Sequence, residues 1–112
     1  MQQRKQIGKI QKVSFGFGGY QEAMIGLSLT FGSDKESWGV QTFHGAWGID
    51  RSDYCKWTEE DRLKQLGETC MKLRDLMRDA KVQTVDDLEG VPVEVTFDGN
   101  MLKDYRILTE VL

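Results

Sequence analysis

Chemistry based on imidazole or thiol has three residues to use in this 112-residue chain: His44, Cys55 and Cys70. Nucleophilic catalysis needs a nucleophile, a base and an orienting group held together. His44 lies among Phe43, Gly45 and Trp47, where a lone imidazole reads as a packed or surface strand residue, and no GxSxG elbow accompanies it. Cys70 falls at an apolar helix position and reads as core. Asp53, Asp86 and Asp87 offer carboxylates for acid–base work, but in loops they read as solvated. One His and two separated Cys do not make four zinc ligands. The expectation is a protein with no catalytic residues, no metal site and no cofactor.

Binding chemistry is better represented. Gly16-Phe17-Gly18-Gly19 follows a strand-like segment, and glycines there can turn backbone N–H groups onto an anion. Gln21 stands where GxGxxG needs glycine, and no Walker sequence is present, so the stretch reads first as a glycine-rich bend. Nine of the eleven aromatics fall between Phe15 and Trp57. In the segment Trp38–Trp47, alternation puts Trp38 on one side with Val40, and Phe43 and Trp47 on the other. Gly39 and Gly45 leave space beside these rings. Rings flanked by glycine suit a flat ligand or a protein hot spot; the competing reading is core packing or self-association. The candidate partner-binding residues are Phe17, Gly18, Gly19, Tyr20, Trp38, Phe43, His44 and Trp47.

The elements that must position these residues follow from periodicity. A first strand is expected from Lys9 to Phe15, ending at the glycine-rich bend. Ile25, Leu27, Leu29 and Phe31 alternate with small or polar residues as a second strand, and Trp38–Trp47 forms a hairpin with it. Thr58 caps a helix whose first turn carries Glu59, Glu60 and Asp61, with Asp61 placed to close a capping box. Leu63, Leu66, Cys70, Leu73, Met77 and Ala80 recur at alternating steps of 3 and 4, an apolar stripe expected to lie on the sheet. Gly67 within it suggests close packing there. Val91, Val93, Val95 and Phe97 alternate into the Asp98-Gly99-Asn100 turn, and a last strand follows with Tyr105, Ile107, Thr109 and Val111 on one face. Pro92 marks a strand start or an edge. The expected fold is α+β: an antiparallel sheet of about five strands in the order β-β-β-α-β-β, with one long helix packed on one face. Residues 1–8 read as a flexible polar lead and 9–112 as a single domain.

The formal charge of −3, from 15 basic and 18 acidic residues, supplies no general field for nucleic acid or anionic lipid. No apolar run approaches the roughly 18 residues of a membrane span, and the start of the chain has no signal-peptide core. Two unpaired cysteines fit reduced thiols, so a cytoplasmic protein is expected.

Two segments carry a family likeness. One is Phe15–Gly26 (FGFGGYQEAMIG) with Ser37-Trp38-Gly39-Val40; the other is Val91–Asn100 (VPVEVTFDGN) running into Arg106–Val111. Together they resemble a group of small, functionally unassigned bacteriophage and prophage proteins. The resemblance implies a context in which accessory proteins act on host components, including bacterial defence systems. It transfers no catalytic residue. The reading is a non-enzymatic binding protein that antagonises such a system, either masking a host protein as anti-CRISPR proteins do or sequestering a nucleotide signal. A homodimer is a further possibility for the aromatic surface. The alternative is a nucleic-acid accessory protein that stacks single-stranded bases on sheet aromatics, opposed by the charge and helped only by Arg4, Lys5, Lys9 and Lys12.

Overall fold

The computed structural model describes residues 3–112. Five strands form one antiparallel sheet: β1 (Gln3–Gly18), β2 (Met24–Gly32), β3 (Gly39–Trp47), β4 (Pro92–Asp98) and β5 (Met101–Ile107). One long helix, α1 (Glu59–Ala80), follows β3. The chain is therefore α+β with the expected element order. In space the strands run β3-β2-β1-β4-β5, so the first strand is central.

The first strand is twice as long as its sequence suggested. Residues 3–8, expected as a flexible lead, belong to β1, where Gln3–Lys9 pair with β4 from Asp98 to Pro92. Lys9–Gly18 pair with β2 on the other side. The polar character of the first half misled the sequence reading, because its partner strand lies at the far end of the chain. A bulge between Ile10 and Lys12 marks the changeover. It also shifts the alternation: Gln6, Gly8 and Ile10 point to the core before it, and Val13, Phe15 and Phe17 after it.

The core face carries Leu27, Leu29 and Phe31 of β2, Val93, Val95 and Phe97 of β4, and Tyr105 and Ile107 of β5, all buried. The sheet curls strongly. Phe31 of β2 and Tyr105 of β5, with β1 and β4 between their strands, meet with ring centroids 4.7 Å apart. Leu76 and Ala80 of α1 are buried against this concave side, with Leu73 and Met77 packed beside them.

The start of the helix is built as the sequence indicated. Thr58 Oγ1 accepts from the Asp61 N–H at 3.1 Å, and Asp61 Oδ2 accepts from the Thr58 N–H at 2.8 Å, a complete capping box. Lys81 closes the helix in the left-handed conformation at φ 60°. The stripe expected to be interior is interior only in its second half. Leu63 is 65% exposed, Leu66 39%, and Cys70 is also exposed, while Thr69 is buried. Gly67 reflects no close packing, since nothing lies within 4 Å of where its Cβ would stand. Pro92 starts β4 in the sheet interior and is not on an edge. The last strand stops at Ile107, and Thr109–Val111 form a 3-10 turn with Val111 exposed.

Candidate functional site

The convex face of the sheet, opposite α1, owes its shape to glycine. Gly16 of β1, Gly26 of β2 and Gly45 of β3 sit side by side in register. A side chain on Gly45 would strike the Phe43 ring and the Ile25 carbonyl oxygen at 2.6 Å. The Phe43 ring therefore lies across the glycine surface, and its edge comes within 3.1 Å of where a Gly18 Cβ would be. Gly19, at φ 68°, then turns the chain into the 3-10 turn Tyr20–Glu22, where Gln21 and Glu22 also hold positive φ, at 52° and 57°.

These parts enclose a trough of about 410 Å³, open to solvent and lined by Gly18, Gly19, Glu22, Ser28, Gln41, Thr42 and Phe43. Phe43 supplies an apolar wall, the glycines leave room against the backbone, and Ser28, Gln41 and Thr42 add hydrogen-bonding groups. The only charge among the lining residues is the Glu22 carboxylate. Tyr20, in the same turn, is 67% exposed.

The structure separates the eight candidates. Gly18, Gly19 and Phe43 line the trough, and Tyr20 flanks it. Phe17 is on the other face of β1, opposite Ile25, and is 69% exposed. Trp38 leaves the site altogether: its ring packs edge-on against Phe97 at 5.7 Å, covers Gly8 and keeps its Nε1–H buried without a partner. Trp47 is engaged internally, stacked on Trp57 at 5.7 Å with planes 9° apart. The Arg62 guanidinium lies over Trp57 at 5.1 Å, and the Trp47 N–H donates to Gln65 Oε1 at 3.2 Å. Trp47 thus fastens the loop before α1 to the sheet.

His44 faces the concave side. Its Nε2 shares a hydrogen bond with the Tyr105 hydroxyl at 2.5 Å, which joins β3 to β5, the two outer strands of the sheet. The Lys72 ammonium lies over the Tyr105 ring at 4.8 Å. Burial and the nearby Lys72 charge lower the His44 pKa from 6.5, and burial followed by the Asp104 charge raises the tyrosine well above its ordinary 10. The imidazole is neutral at pH 7 and occupied in a structural contact.

Glu22, Ser28, Gln41 and Thr42 were not singled out by the sequence. Their signal was present in part: Ser28 and Gln41 occupy outward positions of strands whose alternation was recognised. Cys55 and Cys70 are both free thiols. Among the described residues no three His, Cys, Asp or Glu side chains gather as a metal site, and no helix is long and apolar enough to cross a membrane. The chain matches no protein-family model, no curated protein and no solved structure at a significant level.

Proposed function

We propose that this chain is a non-enzymatic binding protein that masks a host protein, and that it does so through the Phe43 trough and the exposed Tyr20 beside it. The observation that carries the reading is the trough itself: an aromatic wall on a surface cleared by glycine, at a turn held in left-handed backbone conformations. Such strain persists where the surrounding structure over-determines it, and it clusters at binding sites. The lining favours a protein over a nucleotide signal. Phosphates need cationic or N–H-rich surroundings, whereas the one charged lining residue is Glu22. A lysine or arginine side chain of a partner meets both requirements, stacking on Phe43 and pairing with Glu22. The resemblance to phage-encoded proteins makes a component of a bacterial defence system the target.

The nucleic-acid alternative has less electrostatic support than Arg4, Lys5, Lys9 and Lys12 would give together, since two of the four are paired with carboxylates. Lys5 pairs with Glu94 at 3.8 Å, Lys9 with Asp34 at 2.8 Å, and Arg4 lies over the Phe97 ring at 5.0 Å.

The test is retention of bacterial host lysate on the immobilised chain, with mass spectrometry of both proteins and small nucleotides. A protein held by the wild type should bind Tyr20→Ala or Glu22→Lys about thirtyfold more weakly, equivalent to a hot-spot loss of ~2 kcal/mol. Recovery of a nucleotide without a protein would replace masking by sequestration. Undiminished binding by both variants would remove the trough from the interface.

A further inference from the structure

Beyond Ile10 the outer edge of β1 has no partner among the described residues. The last backbone bonds on that side are from the Ile10 N–H to the Val91 carbonyl at 2.9 Å and from the Gly90 N–H to the Ile10 carbonyl at 2.7 Å. From Lys12 to Gly18 the strand pairs only with β2. The open segment is also apolar on one face: Val13 is partly covered, Phe15 is 48% exposed and Phe17 is among the most exposed apolar residues in the molecule. Natural sheets blunt such edges with charge, proline or a covering element. Here the open segment has no proline, and its one charge is Lys12, at the end next to the bulge, while Val13–Gln21 carries none.

We infer that this edge pairs with the same edge of a second copy, joining two five-stranded sheets into one across a two-fold axis. The sequence specifies the register. The open segment Lys12–Gly18 is centred on Phe15, and Val13-Ser14-Phe15-Gly16-Phe17 is close to palindromic in size around it. Antiparallel pairing about that centre sets Phe15 against its own copy, Val13 against Phe17, and Ser14 against Gly16. The apolar side chains then share one face and the small ones the other, as an antiparallel ladder requires. A net charge of −3 per chain opposes association in general, but the only charge within the contact is Lys12, which the register sets against Gly18 of the copy and not against another lysine. The contact is isologous and closes at two copies, so the edge is consumed without leading to fibres. Gly18, at the end of the ladder, also lines the Phe43 trough, and the other lining residues lie on β2, β3 and the turn after β1, outside the ladder.

The experiment uses the full chain. Sedimentation at micromolar concentration should give twice the 12.8 kDa chain mass, and Phe15→Lys should give a monomer with unchanged circular dichroism. Register is read by cross-linking with Cys55 and Cys70 both replaced by Ser. Phe15→Cys faces itself at the antiparallel spacing of about 4.5–5.5 Å, within disulfide reach, and should link on mild oxidation. Ser14→Cys is offset from its own copy by two residues, beyond the ~7 Å limit, and should not link. A wild-type chain that stays monomeric throughout the micromolar range overturns the inference. So does a dimer in which Ser14→Cys links as readily as Phe15→Cys, or neither links.

Discussion

His44 is the one side chain in the molecule whose ordinary pKa falls close to neutrality, and its environment gives the fold a defined pH dependence. Half-burial and the Lys72 ammonium both penalise the imidazolium, so the folded-state pKa lies below 6.5. Well above 6.5 the ring is neutral folded or unfolded, and the bond to Tyr105 is intact. Below it the unfolded chain takes up a proton that the folded chain resists, so stability falls as pH falls through this window and rises with pH. Urea unfolding at about pH 7.5 and about pH 5 should show a larger loss for the wild type than for His44→Asn, whose side chain does not titrate. Equal losses would mean that the imidazole is not held as described. The glycine row makes a second residue-scale expectation. A methyl group on Gly26 would run into the His44 carbonyl and the Gly45 Cα, both backbone, whereas one on Gly16 meets nothing within 4 Å. Gly26→Ala should therefore unfold well before Gly16→Ala in a thermal melt, although the two glycines are direct neighbours in the sheet. The sequence showed that glycines and aromatics interleave here. It did not show which ring covers which glycine, because Phe43 reaches Gly18 across an intervening strand.

Among the elements, α1 shows how far periodicity reads. Its N-cap, acidic first turn and capping box were all legible, because each depends on residues within a few positions of one another. How the helix lies on the sheet depends on how far the sheet extends beneath it. The stripe Leu63-Leu66-Cys70-Leu73 is continuous in sequence, but only the later part meets the core, and Thr69 and Leu76 are the residues pressed inward. Leu76→Ala should cost roughly 2–5 kcal/mol in urea unfolding, as for an emptied buried leucine site. Leu66→Ala should cost less than about 1 kcal/mol, the usual range for a surface change. Gly67→Ala should stabilise by about 0.5–1 kcal/mol, since the helix interior gains a better helix former and no clash opposes it. A destabilised Gly67→Ala would show that the helix packs more tightly than the structure has it. β1 was the less legible element. Its polar first half, with Arg4, Lys5 and Lys9, has no alternation of its own, and it becomes a strand because Val93, Val95 and Phe97 supply the apolar side of the ladder.

For the molecule as a whole, the order of elements along the chain could be read, but the order of strands in space could not. Two hairpins were evident from their turns and alternation. That β1 stands between them, and that the sheet curls until His44 and Tyr105 join its two outer strands, are non-local facts with no local sequence mark. The central place of β1 has a consequence for how the protein is made. Gln3–Lys9 finds its partner only in Pro92–Asp98, across more than 80 residues of chain. During synthesis, therefore, Gln3–Lys9 leaves the ribosome long before the strand that satisfies it. Until the closing hairpin emerges, the nascent chain can assemble β1 with β2 and β3, but the other edge of β1 stays bare from end to end. Such a topology belongs with the slower small folders, on the scale of milliseconds to seconds. The interval before the last strand arrives is when the chain is most open to aggregation, and when a nascent-chain chaperone would have most to protect.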